Sequence, residues 1–145
     1  LEAHPVLVRA TPAASTWGEH GHGEVWTGHR SAWMWRHVHH ATRYVEWVTK
    51  RHGDVSGARG RALDQMTREL LLLQSSDWAF IVHTGTSTRY AESRFRAHVH
   101  SVLHLGHLVG KAGWDDLDHA FVDDVEARDN FLEGFGQRAL RSCFS

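Results

Sequence analysis

The sequence predicts an all-α domain of four or five helices, preceded by an irregular segment carrying glycine, histidine and tryptophan. Two observations carry this. Through most of residues 31–131, apolar residues recur at spacings of three and four, the period of one helix face. Ahead of that region, Gly18, Gly21, Gly23 and Gly28 fall within eleven residues, and Pro5 and Pro12 precede them. Glycine costs a helix interior about 1 kcal/mol, so this stretch favours a loop, where binding residues concentrate.

Ser31 is placed to cap the first helix, whose Met34, Val38, Ala41, Val45 and Val48 form one stripe. Gly53 ends it, and Asp54 or Ser56 caps the second. There Leu63, Met66, Leu70 and Leu73 form the inner stripe, and Leu71 and Leu72 widen it, suggesting burial on more than one side. Ser75-Ser76-Asp77 reads as a turn or a recapping site, since these side chains compete for backbone hydrogen bonds. Trp78 to His83 is too short and too apolar to assign by period. A buried helical turn is the preferred reading and a short strand the alternative. After a junction at Thr84 to Ser87, a long helix runs to about Val109, with Ala91, Phe95, Val102, Leu105 and Val109 on one face. Gly110 and Gly113 end it, and Asp115 or Asp116 caps a last helix with Leu117, Phe121 and Val125 four apart.

At 145 residues the chain is long enough for one domain with a real core. Lys plus Arg number 16 against 17 Asp plus Glu, so no net field draws nucleic acid or an anionic membrane, and neither is expected as a partner. No apolar run approaches the roughly 20 residues that span a bilayer. A single cysteine, Cys143, excludes an internal disulfide and suits a reducing compartment, so a cytoplasmic location is expected. The chain begins Leu1-Glu2-Ala3-His4-Pro5, which reads as a fragment or processed piece of a larger protein.

Seven tryptophans stand out. Trp17 and Trp26 flank the glycine- and histidine-rich stretch, and Trp78 follows Asp77. Loop indoles beside carboxylates suit flat, hydroxyl-rich ligands, because the ring offers an apolar face and the acid accepts hydrogen bonds. Large aromatics also fill gaps beneath loops. Trp33, Trp35 and Trp47 sit on or beside helical stripes and read as packing residues, and Trp114 sits in a helix junction.

Fourteen histidines raise a metal question. His37, His39 and His40 form one cluster; His98, His100, His104 and His107 form another. His100, His104 and His107 share a helix face, and three imidazoles can hold zinc. That face lies opposite Val102, on the polar side, with no carboxylate or cysteine partner evident, so no metal is expected. His20 and His22, beside glycines, can be aimed at a ligand. No phosphate loop and no Gly-x-Ser-x-Gly elbow is present. Glu19, Glu24 and Asp77 supply carboxylates, but their spacing selects no acid–base pair.

The motifs taken together resemble a known pattern. Thr16-Trp17-Gly18-Glu19, then Glu24-Val25-Trp26 and Trp33-Met34-Trp35-Arg36-His37-Val38-His39, are similar to the C-terminal helical domain of glycoside hydrolase family 57 1,4-α-glucan branching enzymes. Arg68 to Phe80, His83-Thr84-Gly85-Thr86 and Tyr90 to Phe95 resemble the same domain, from about Thr16 to Phe131 in order. The resemblance implies a transferase that moves an α-1,4-glucan segment to a 6-hydroxyl in glycogen synthesis. It implies catalytic carboxylates on a (β/α)7 barrel preceding this domain, with no catalytic residue, cofactor or metal here. Trp17 and Trp26 correspond to glucan-cleft tryptophans and Asp77 to a substrate-contacting acid, with Trp78 beside it to stack or support. Around His20-Gly21-His22-Gly23 the family more often shows further glycine or aromatic residues. After Phe131 the family's proline-containing ending is not followed. The division is then 1–30, a loop segment with the cleft tryptophans, 31–131, the helical domain, and 132–145, a divergent tail. The alternatives are another family 57 amylase or glucanotransferase, or a stand-alone histidine-rich metal- or partner-binding module.

Overall fold

In the computed structural model the described residues are 11–13, 15, 16 and 18–132. Trp17, and the predicted divergent tail beyond Leu132, lie outside them. Six α-helices follow in order: α1 (Glu24–Thr27), α2 (Ala32–His52), α3 (Gly57–Leu73), α4 (Ser76–Thr84), α5 (Thr88–Gly110) and α6 (Asp116–Asp129). The described residues contain no strand. Residues 78–83, ambiguous by period, are helical within α4, because Ser75 accepts the Asp77 amide and Gly85 ends the helix at φ +75°. Only glycine adopts that left-handed conformation without strain.

Helices α3 and α5 form the central pair, with α2 against both, α6 against α3, and α4 against α5 and α1. The stripes predicted for α2, α3 and α5 face one another across the apolar cluster, with Met34, Val45, Leu63, Met66, Phe95 and Leu105 among its members. α3 is buried on nearly every side, Gln65, Thr67, Arg68 and Glu69 included. This is why leucine spreads beyond one stripe at Leu71 and Leu72, both half-buried. At Gly106 a Cβ would stand 2.5 Å from the Tyr44 ring and 2.8 Å from the Met66 methyl. The close approach of α2 and α3 to α5 therefore requires glycine there.

Three expectations need correction. Ser31 occupies the N-cap position of α2, but its hydroxyl donates to the Trp26 carbonyl at 2.8 Å and caps nothing. The segment ahead of it is not wholly irregular, since a 3-10 turn (Glu19–Gly21) and α1 lie within it. In α6 the buried line is Asp118, Val122, Val125 and Asp129, and Leu117 is 80% exposed. At 100° per residue the centre of that line lies about 110° around the helix from Leu117 and only about 30° from Val125, so Leu117 falls off the buried face. Asp115 caps α6 through a reciprocal capping box with Asp118.

Candidate functional site

The N-terminal segment is held against α4 by named bonds. Glu19 meets the His83 ring at 2.8 Å, and Arg30 donates to the His83 carbonyl at 2.9 Å. The Thr16 hydroxyl donates to the His22 carbonyl at 2.7 Å and closes the turn. Gly18 is buried there, where a Cβ would lie 2.8 Å from the His22 carbonyl and 3.0 Å from the Trp26 ring. His20 and Gly21 take left-handed backbone at φ 55° and 73°. Both His20 and His22 are exposed.

Trp26, half-buried, packs on the core cluster, and its carbonyl accepts the Trp35 indole N–H at 2.7 Å. Trp35 in turn lines a cleft between α2 and the α3–α4 junction, together with Val38, Leu73, Gln74, Ser76 and Trp78. Asp77 stands exposed in the first turn of α4, its carboxylate 3.2 Å from the Ser75 hydroxyl. Trp78 is half-buried, donates its N–H to the Leu72 carbonyl at 2.7 Å, and packs beside Tyr90 and His98. The cleft thus gathers Trp35 and Trp78, with Asp77 exposed one residue before Trp78 and Trp26 joined to Trp35 through its backbone carbonyl. Trp35, read from sequence as a packing residue, is 37% exposed and bridges the two halves. Its position was legible: Met34 lies on the core stripe, so the next residue points about 100° away from it.

Beneath Trp78 lies a buried polar network that the sequence did not reveal. His98, from α5, meets Glu69, from α3, at 2.7 Å, both essentially inaccessible to solvent. Gln65 bonds Glu69, and Asp129 pairs with Arg94 at 2.7 Å and Arg128 at 2.8 Å. Burial pushes the Asp129 carboxyl up, but the two guanidinium groups outweigh it and hold the group below its ordinary range. Ligand atoms of Glu69, His98 and Asp129 lie within 4.8 Å of one another, a spacing that fits a cation. The carboxylate oxygens of Asp129 are each taken by an arginine, however, so the geometry is that of an ion-pair network. His98, close in sequence to His100, His104 and His107, thus lies in the core and not on the face those three share.

His104 departs from the solvated setting expected of that face. It packs on Phe121 at 4.3 Å because α6 crosses α5 there. Burial, then the neighbouring His100 and His107, lower its pKa, and burial lowers those of His37 and His52 as well. The unfolded chain therefore binds protons that the folded one resists. Stability is complete above the unfolded value of about 6.5 and falls as the pH drops below it. Thermal unfolding followed between pH 8 and 5 checks this, and His104→Gln is expected to flatten the decline. An equal decline in that variant would remove His104 as a cause.

The family described as "1,4-alpha-glucan branching enzyme, C-terminal" matches residues 37–138. The chain belongs to that family. A 1,4-alpha-glucan branching enzyme of Thermococcus kodakarensis is 28% identical over 116 residues, 79% of this chain and 17% of that protein. A probable 1,4-alpha-glucan branching enzyme of Mycobacterium tuberculosis is 32% identical over 93 residues, 60% of this chain and 17% of its own length. Among solved structures, a GH57-type branching enzyme from Pyrococcus horikoshii aligns at a TM-score of 0.78 and 26% identity, covering 86% of this chain and 24% of the other. The Thermococcus kodakaraensis GH57 branching enzyme, solved with glucose and additives, aligns at 0.71 and 28% identity, covering 80% of this chain and 21% of the other. The branching-enzyme domain described here thus spans about a fifth of the length of these relatives. No helix among its described residues is long and apolar enough to cross a membrane.

Proposed function

We propose that this branching-enzyme domain supplies one wall of an α-glucan cleft. The reaction it serves transfers an α-1,4-glucan segment to a 6-hydroxyl in glycogen synthesis in the cytoplasm. Catalytic carboxylates come from a (β/α)7 barrel of the same protein, and residues 1–30 and 31–131 present Trp17, Trp26, Asp77 and Trp78 to the polymer. The observation that carries this reading is the indole N–H of Trp35 on the Trp26 carbonyl, which joins the N-terminal tryptophan segment to the cleft lined by Trp35 and Trp78. Aromatic faces there position pyranose rings, and Asp77 accepts sugar hydroxyls. Such positioning lowers the barrier by holding donor and acceptor together.

The test is Trp26→Ala in the enzyme that joins this domain to its catalytic barrel, with new 1,6 links counted on amylose and helix content followed by circular dichroism. Loss of most branching with the fold retained is expected. Wild-type branching removes Trp26 from the cleft. Products that are only shortened or disproportionated linear chains from the wild-type enzyme instead identify a family 57 amylase or glucanotransferase.

A further inference from the structure

We propose that the outer face of α2 carries a second glucan platform, formed by Trp47 with Tyr44, which holds long α-glucan chains outside the cleft. The proposal rests on the reading that the cleft binds α-glucan. Trp47 is 54% exposed although Ala41, Val45 and Val48 already fill the inner stripe of its helix. Its position is therefore not explained by packing within this domain. Its ring lies nearly parallel to that of Tyr44, at 11° and 6.1 Å between centroids. Tyr44 is seated against Gly106, which fixes the base of the platform.

The surroundings suit a polyhydroxy chain better than a protein partner. Arg51 lies over the Trp47 indole at 5.9 Å, and His52 stands edge-on at 6.4 Å. Exposed Arg43 adds donors on the same side of the helix, where Lys50 and Glu46 are paired with each other at 2.7 Å. A tryptophan and a tyrosine bury about 150–250 Å² each, whereas a stable protein interface needs about 800 Å² per partner with an apolar centre. Charged residues ring this pair. A pyranose ring needs only one indole face, with Arg51, exposed on a flexible stem, moving aside to bond its hydroxyls.

A depression lined by Arg36, His39, Thr42 and Arg43 lies on α2, at residues between Trp35 and Trp47 in sequence. At its near end the Trp35 ring sits 6.1 Å from that of His39. Twelve residues of helix separate the two tryptophans by about 18 Å along the axis. The row Trp35, His39, Arg43 and Trp47 turns about 120° around α2 over that length, so a long chain that reaches both tryptophans winds around the helix.

Affinity electrophoresis of this chain through gels with and without amylopectin tests the idea, using Trp47→Ala, Trp47→Phe and Trp26→Ala. Trp47→Ala is expected to weaken retention about tenfold, the effect of roughly 1.4 kcal/mol. Trp47→Phe, which keeps an aromatic face, is expected to restore most of it. Unchanged retention in Trp47→Ala overturns the platform, and so does loss of helix content in that variant, which marks Trp47 as a packing residue. If Trp26→Ala alone loses retention, the platform falls and the cleft stands. If only Trp47→Ala does, the platform stands and Trp26 is removed from glucan binding. If neither does, both fall.

Discussion

Glu69→Ala is expected to destabilise the domain by about 3–5 kcal/mol, the usual cost of removing one partner from a buried pair. Glu69 is fully buried, accepts from Gln65 at 3.1 Å, and meets the His98 Nδ1 at 2.7 Å. Alanine leaves that imidazole nitrogen without an acceptor and opens a cavity between α3 and α5, where the apolar cluster has no slack to close it. For a chain of this size the loss corresponds to a fall in melting temperature of about 10 °C or more. Glu69→Gln keeps the volume and an acceptor oxygen, and is expected to cost less. Thermal or urea unfolding of the two variants separates the outcomes. A change below about 1 kcal/mol in Glu69→Ala would show that the pair contributes little. His98 also packs its ring 5.8 Å from Trp78, so a loosened pair disturbs the cleft from beneath.

Asp77→Asn is expected to do the reverse: little to stability and much to branching. The carboxylate is exposed in the first turn of α4, with Ser75 beside it. An acid at that helix position contributes about 0.3–1 kcal/mol through the helix dipole. If it accepts a sugar hydroxyl, losing that charged hydrogen bond costs about 1.5–3 kcal/mol, a roughly 10- to 150-fold drop in rate when the contact is made in the transition state. Branching rate in the whole enzyme and melting temperature of the same variant are the two measurements. A wild-type rate would take Asp77 out of the site. Trp78→Ala is the less informative change, because that indole both lines the cleft and bonds the Leu72 carbonyl.

Much of the architecture was readable from local pattern alone. The stripes of α2, α3 and α5 repeat at three and four, and burial follows them residue by residue at Ala41, Val45, Leu63, Met66, Val102 and Leu105. Pattern failed where the competing interaction was distant in sequence. The Ser31 hydroxyl turned back to Trp26, and the inward face of α6 was set by contact with α3, not by its own leucine. The amphipathic helix around Trp47 predicts a packing residue, yet Trp47 faces solvent on the side away from the stripe. The motif residues Trp26, Asp77 and Trp78 were legible as a set because they sit in recognisable local sequence. Trp35 lacked such a setting, and its hydrogen bond to Trp26 spans a turn that no periodicity describes.

By itself, the sequence determined that this chain is helical, where most helices begin and end, and which family of domains it belongs to. Those properties depend on i to i+4 spacing, glycine breaks and short motifs, all of them local. Only the tertiary structure decided that buried Glu69, His98 and Asp129 cluster, with Arg94 and Arg128 reaching Asp129 from nearer the surface, and that Trp35 and Trp78 line one cleft with Trp26 bonded to Trp35 through its carbonyl. These groupings join residues from separate helices. They come together because burying the apolar stripes brings α3, α5 and α6, and likewise α1, α2 and α4, into contact, an outcome settled by packing across the whole chain.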